Sequence, residues 1–227
     1  MKALILNSGM GSRMGVLASE HPKCMTEIIG QETILSRQLK QLADFGVKDV
    51  VITTGRFSQV LMDYCRSLDL PLQYTFVNNP DFQDTNYIYS IYLAKSYLTD
   101  DDILLMHGDL VFENSVLQGV LAYPDSCMTV SSTAELPEKD FKAVVENGFI
   151  RKVGVNYFEH ALSVQALYKL KAADWSIWIE RICDFCMAGT VKCYAEDAFN
   201  EVSDQCRIRP FDVKNALCNE IDTPEDW

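Results

Sequence analysis

The chain has 227 residues, a formal net charge of −12 and a pI near 4.6. That length supports one large α/β domain with a substantial core, and the acidic balance argues against nucleic acid or an anionic membrane as a partner, since both need a positive footprint. No apolar run approaches a membrane span, and the N-terminus lacks the cationic lead and cleavage site of a signal peptide, so a cytoplasmic protein is expected.

In chain order, strand and helix signals alternate. Ala3 to Leu6 is a short continuous apolar run, as expected of a strand buried on both faces of a parallel sheet. It breaks into a segment with Gly9, Gly11 and Gly15 among Asn7, Ser8, Met10, Ser12 and Arg13, where glycine freedom lets backbone N–H groups turn toward an anion. Ten residues after Arg13 comes Lys23, stiffened by Pro22, which can return a second cation to the same cradle. Thr33 to Phe45 has helical spacing and stops at Gly46. A short strand follows at Asp49 to Thr53, then a helix from Phe57 to Leu68 and a strand from Leu72 to Val77. A polar connector at Asn78 to Asp81 leads into a helix from about Asn86 to Leu98, and Asp101 to His107 is a fourth buried strand ending in Gly108-Asp109. This alternation predicts a Rossmann-like, mostly parallel central sheet flanked by helices.

The second half changes texture. Asn147-Gly148 between apolar runs in Phe141 to Val155 signals a hairpin, hence a small antiparallel excursion. Ala161 to Leu170 reads as a strand, Ala172 to Met187 as an aromatic-rich helix and Ile208 to Val213 as a late strand. At the end, Thr223 has the character of an N-cap with Pro224 behind it. A single domain is expected, with a first half to about residue 125 and a second half from about 126 to 227. The eight cysteines are expected to be reduced thiols, because Cys183-x-x-Cys186 has no second pair or nearby histidine to complete a zinc site.

The glycine spacing, G-x-G-x-x-x-G, departs from the dinucleotide fingerprint, and no Gly-Lys-Ser/Thr is present for a P-loop. An ordinary turn with a chance Arg and Lys also explains the segment. Two acidic groups extend the functional reading. Asp109 follows a central strand, where open α/β sheets place their ligands, although such an Asp is often only a turn residue. In Glu220-Ile221-Asp222, an extended backbone puts both carboxylates on one face and Ile221 on the other, unless the segment is simply a solvated acidic tail. With Asp109 they make an oxygen site suited to Mg²⁺.

Gly9-Met10-Gly11-Ser12-Arg13 followed by Pro22-Lys23, after an N-terminal strand, resembles the signature of nucleotidyltransferases that activate sugar phosphates and small alcohol phosphates. Asn86-Tyr87-Ile88-Tyr89-Ser90 sharpens the likeness toward bacterial choline-phosphate cytidylyltransferases and aminoalkylphosphonate cytidylyltransferases, and with Asp109 and Glu220-Ile221-Asp222 it runs nearly the whole chain. The resemblance implies that Leu6, Asn7, Ser8, Gly9, Met10, Gly11, Ser12, Arg13, Lys23, Asn86 and Ser90 bind the nucleotide. In the same way it implies Lys23 and Arg13 as catalytic cations, Asp109, Asp222 and Glu220 as holders of Mg²⁺, and Asp109, Tyr89, Tyr157 and Glu220 as acceptor-binding residues. Tyr87, Tyr89, Tyr157, Trp175, Trp178 and Tyr194 could form a cation–π cage, although core packing explains most of them equally well.

The expected reaction moves CMP from CTP onto a small amino-alcohol phosphate or phosphonate, phosphocholine or 2-aminoethylphosphonate, and releases pyrophosphate. The attacking oxygen is already anionic, so His21, His107 and His160 are assigned no catalytic duty and read as structural or incidental. A sugar-1-phosphate nucleotidyltransferase and a non-catalytic nucleotide-binding regulatory subunit are the alternatives. The oligomeric state, a homodimer included, is left open.

Overall fold

The structure is a computed structural model and describes residues 1–9 and 21–221. Its first strand, β1 (Lys2–Asn7), shows how the sheet is built. Leu4 and Leu6 point into one hydrophobic cluster, and Ala3 and Ile5 into another. Period-two alternation thus feeds two apolar layers, one on each face of the sheet, and a run with no polar position satisfies both.

The elements after β1 are β2 (Glu27–Ile29), β3 (Glu32–Thr33), α1 (Ile34–Asp44), β4 (Asp49–Thr54), α2 (Ser58–Ser67), β5 (Gln73–Asn78), α3 (Tyr87–Ala94), β6 (Ile103–His107), β7 (Leu110–Phe112) and α4 (Asn114–Ala122). Then come β8 (Cys127–Ser131), β9 (Lys142–Glu146), β10 (Phe149–Gly154), β11 (Ala161–Leu170), α5 (Ala172–Met187), α6 (Ala195–Val202), β12 (Arg209–Asp212) and β13 (Cys218–Glu220). β1 lies between β4 and β6 and is parallel to both, and β5 continues the parallel set beyond β4. On the other side β11 joins β6 antiparallel, and β8, β9 and β10 build outward from it. β12 lies parallel against β8. The Rossmann-like sheet flanked by helices is therefore present, and its antiparallel part is larger than the hairpin alone.

Helices α1, α2 and α4 cover one face through Leu35, Leu39, Leu42, Leu61, Val116 and Leu117. On the other face α3, α5 and α6 contribute Ile88, Ile91, Trp175, Trp178, Ile182 and Phe199. Trp175 and Trp178 are core residues, with their indole N–H groups donating to the carbonyls of Leu98 at 2.8 Å and Ala195 at 2.9 Å. They form no part of a cage. All eight cysteines are free.

Several sequence signals act as expected. The Thr33 hydroxyl accepts from the Ser36 N–H at 3.0 Å in a capping box that starts α1. Asn147 and Gly148 have φ of 51° and 77°, the two left-handed positions a tight hairpin needs. The helix that begins at Asn86 ends earlier than expected, at Ala94, and passes into a 3₁₀ turn over Lys95–Tyr97. Sequence spacing missed α4, α6 and β8, which are short segments without capping or turn signals strong enough to mark them.

A two-stranded ribbon decides where the C-terminal carboxylate goes. β13 runs antiparallel to β7 with Glu220 opposite Leu110, and the Ile221 N–H donates to the Asp109 carbonyl at 3.0 Å. Ile221 is buried against Ile34 and Val111, so alternation turns Glu220 to the opposite side.

Candidate active site

The C-terminal ends of β1 and β6 open into a cleft of about 320 Å³ lined by Leu6, Asn7, Gly9, Lys23, His107 and Asp109 among others. Three distant parts of the chain meet there. Pro22 enters a 3₁₀ turn whose Cys24 is buried, and this anchors Lys23 with its ammonium 2.6 Å from Asp109 Oδ2. Asp109 sits on the turn between β6 and β7. Glu220 arrives on β13 and places Oε1 2.7 Å from His107 Nδ1. His107, Asp109 and Glu220 each offer a ligand atom within 4.8 Å of the others.

The turn that carries Asp109 is held from behind by α1. The buried Gln38 amide donates to the carbonyls of His107 at 2.9 Å and Leu110 at 2.7 Å, and Gln41 donates to the Phe112 carbonyl at 3.0 Å. In front, Gly108 donates its N–H to the Leu6 carbonyl at 3.1 Å. A side chain at Gly108 would meet Asn7, because an added Cβ lies 1.7 Å from Asn7 Oδ1. Glycine there is what lets the Asn7 carboxamide lie against the β6 end.

Burial alone would hold the His107 imidazole neutral, but the adjoining Glu220 carboxylate outweighs it, and Asp109 and Glu196 add to that field. The outcome is a pKa raised to about 9 in the metal-free protein. His107, read from sequence as structural or incidental, lines the cleft. Two buried atoms aimed into the region, Asp109 Oδ1 and His107 Nε2, have no hydrogen-bond partner among the described residues. An acceptor-only carboxylate oxygen left so suits a hard cation, and the carboxylates of Asp109 and Glu220 are the donor type that Mg²⁺ takes.

From this centre the cleft has two arms. A second cavity of about 180 Å³ shares Leu6, Gly9, Asn86, Tyr87, His107 and Asp109 with the first, then runs toward Ser8, Asn79, Phe82 and Thr85. The larger cavity runs toward Lys139, Asp140, Phe141, Val155 and Tyr194. Asn86 caps α3 and borders both arms. Ser90 lies behind the smaller arm, where its hydroxyl meets that of Ser8 at 2.6 Å and accepts from Asn79 Nδ2 at 2.9 Å. Met10, Gly11, Ser12, Arg13 and Asp222 lie outside the described residues.

Two residues expected to bind the acceptor, Tyr89 and Tyr157, border neither arm. Tyr89 is two residues along α3 from Tyr87, about 200° round the helix, and its ring stacks on Tyr92 instead of lining the cleft. Tyr157 lies on the turn after β10 against Gly154 and borders neither arm. The rings that do line the larger arm are Tyr87, Tyr194 and Phe141, with Phe141 edge-on to Tyr194 at 4.9 Å. Behind Tyr87 lies Glu196, a fully buried carboxylate that accepts from the Tyr87 and Tyr168 hydroxyls. Burial raises its pKa, against the lowering pull of His107 and the two tyrosines. The residues missed by sequence reasoning are Glu196, Gln38, Asn79 and Phe141; only Asn79, in a polar connector before a helix, carried a visible signal.

A family profile described as the MobA-like NTP transferase domain matches residues 3–139, more than half of the chain. The chain belongs to this family. A CMP-5'-(3-aminopropyl)phosphonate synthase of Streptomyces rubellomurinus is 31% identical to this MobA-like chain over 181 residues, covering 76% of the chain and 28% of that protein. A CTP:phosphoglutamine cytidylyltransferase of Campylobacter jejuni is 25% identical over 169 residues, covering 68% of the chain and 65% of that protein. The chain thus spans less than two thirds of the length of either relative. Among solved structures, the inositol-1-phosphate CTP transferase of T. maritima superposes with a TM-score of 0.81 at 23% identity, over 100% of this chain and 91% of the other. That likeness gives the MobA-like domain its fold. Of the described site residues, Leu6, Asn7, Lys23, Asn86 and Asp109 fall inside the profile match, whereas Glu220 lies beyond it.

Proposed function

We propose that this chain is a Mg²⁺-dependent cytidylyltransferase that moves CMP from CTP onto a small amine-bearing phosphate or phosphonate, with phosphocholine and 2-aminoethylphosphonate as the leading acceptors. The observation that carries the reading is Asp109, which borders both arms and is joined by Lys23 and Glu220 from the larger one. Two substrates, one in each arm, would have their reacting atoms beside the same carboxylates and cations. The relatives support the nucleotide half of the proposal, since their names specify CMP transfer or CTP, and one acts on an aminoalkylphosphonate.

In this reading the nucleotide occupies the arm toward Ser8, Asn79 and Thr85, lined also by Leu6 and Gly9, with Asn7 beside it on the wall of the larger arm. The acceptor occupies the arm walled by Tyr87, Phe141 and Tyr194. An anionic acceptor oxygen forms a bond to the α-phosphorus as the bond to the bridging oxygen of pyrophosphate breaks, so no proton has to move. Lys23 places positive charge where negative charge gathers in the transition state. Asp109 and Glu220 would hold Mg²⁺, with Asp222 as the third expected carboxylate; the ion would neutralise phosphate charge and align the groups. Arg13 is proposed for the β/γ end of the triphosphate.

The test is pyrophosphate release with each common nucleoside triphosphate crossed with phosphocholine, 2-aminoethylphosphonate, phosphoethanolamine and glucose-1-phosphate, with and without Mg²⁺. Release from CTP with an amine-bearing acceptor is expected. No release from CTP with any small phosphate or phosphonate would sink the proposal, and release with glucose-1-phosphate alone would move it to sugar activation.

A further inference from the structure

We propose that Lys142 is a positioning residue that pins together the two loops walling the larger arm of the cleft. That this arm receives the acceptor rests on the function proposed above. Lys142 opens β9 and is wholly buried, a rare state for lysine unless its ammonium is satisfied by partners. It is satisfied by main chain: its Nζ donates to the carbonyls of Pro137 and Asp140, the latter at 3.0 Å, and reaches that of Glu138 at 3.5 Å. The same ammonium lies 4.2 Å from the centre of the Phe158 ring.

These contacts join two segments remote from the catalytic junction. The loop between β8 and β9 supplies Lys139, Asp140 and Phe141 to the cleft wall, and the turn after β10 supplies Val155 and carries Phe158. Among the described residues, the hydrogen bonds that reach the backbone of residues 135–140 come from Lys142 alone. An ammonium with three donors and no acceptor is suited to gather carbonyl oxygens that have no strand partner. Phe141 follows directly and sits edge-on to Tyr194, so the pinned carbonyls fix where that ring stands. Lys142 touches neither arm itself, so its effect on acceptor recognition passes through Asp140, Phe141 and Val155.

The experiment combines limited proteolysis with steady-state kinetics on the full chain. Lys142→Met keeps most of the stem and removes the donors; cleavage between residues 135 and 141 by a protease that does not cut after lysine is expected to quicken about tenfold or more while the parallel strands stay intact. The acceptor KM should rise about tenfold, with the KM for CTP held within about twofold, because a loosened wall misplaces one substrate only. Lys142→Arg, which retains charge and donors, should recover part of both effects. Phe158→Ala changes a side chain that is 52% exposed and so should leave folding intact; it removes one contact of the pin and should give about a two- to fivefold change in the same two readouts. Unchanged cleavage between 135 and 141 in these variants, or equal rises in KM for both substrates, would overturn the proposal. If Lys142→Met does not fold, Phe158→Ala decides. A wild-type protein that turns over no acceptor would refute the cytidylyltransferase reading instead, and the cleavage rates would still judge the pin.

Discussion

Replacing His107 tests the charge balance of the site without requiring any substrate. In the folded protein the imidazole pKa is raised to about 9, against 6.5 for an unperturbed histidine, because burial, which lowers it, is outweighed by Glu220, Asp109 and Glu196 together. The gap between those values corresponds to about 3 kcal/mol, at about 1.4 kcal/mol per pH unit. The sign follows from which state holds the proton more tightly. Folding raises the pKa, so the stabilisation is fully present below pH 6.5 and is lost as pH climbs through 9. Urea unfolding of the wild type and His107→Gln, measured in chelator from pH 6 to 10, should show the wild type ahead at the acid end. The gap between the two should close by about 3 kcal/mol by pH 10. Comparing the two proteins at each pH cancels the titration of the tyrosines and thiols they share. One imidazole signal titrating near 9 in NMR, absent from the variant, would confirm the assignment directly. A constant gap across that range would refute the argument and leave His107 a neutral hydrogen-bonding residue.

Lys23→Ala should lower kcat about 10²- to 10³-fold while leaving CTP affinity by calorimetry little changed, since the charge acts mainly in the transition state; equal losses in both would make Lys23 a binding residue only. Gly108→Ala should destabilise the protein by about 1–3 kcal/mol in thermal melts, because the added methyl collides with the Asn7 carboxamide. Adding Asn7→Ala should recover most of that loss, and failure to recover would place the strain elsewhere. Trp178→Phe leaves the Ala195 carbonyl without its buried donor, and a loss of about 2–4 kcal/mol in denaturant unfolding is expected.

The parallel half of the fold was legible because its strands are continuous apolar runs that need no partner information: Ala3 to Leu6, Asp49 to Thr53 and Asp101 to His107 were expected, and Lys2–Asn7, Asp49–Thr54 and Ile103–His107 are found, within two residues at each end. The Asn147-Gly148 hairpin was equally open to reading, since its backbone demand is local. What stayed hidden depends on long-range pairing. β8 looks like an unremarkable CMTVS until β11 and β12 flank it. In the site, Asp109 and Lys23 could be placed by motif, and Glu220 by alternation with Ile221. Glu196 could not, because nothing in Ala195–Val202 distinguishes the one carboxylate that faces two tyrosines from its exposed neighbours. Tyr89 and Tyr157 were expected at the cleft and stand apart from both arms for a related reason: an aromatic in a binding-site motif and an aromatic that packs look alike until the helix phase is known.

The way β11 meets β8 has a consequence for how such a protein can change. Val130 and Ser131 lie opposite Val164 and Ser163 across an antiparallel ladder. The chain leaves the sheet after Ser131, builds its far edge as β9 and β10, and returns beside Ser131 at Ser163, so residues 132–162 are strung between two neighbouring positions. In engineering terms that interval is a cassette: its two ends are already as close as the ends of a hairpin, so its length and content can be exchanged without re-threading the parallel strands. Because the cassette carries Asp140, Phe141 and Val155, one side of the larger arm can be rewritten while β1, β6 and the Asp109 turn stay in place. Chimeras spliced at Ser131 and Ser163 should exchange that side of the wall while conserving the junction where Lys23 and Asp109 meet.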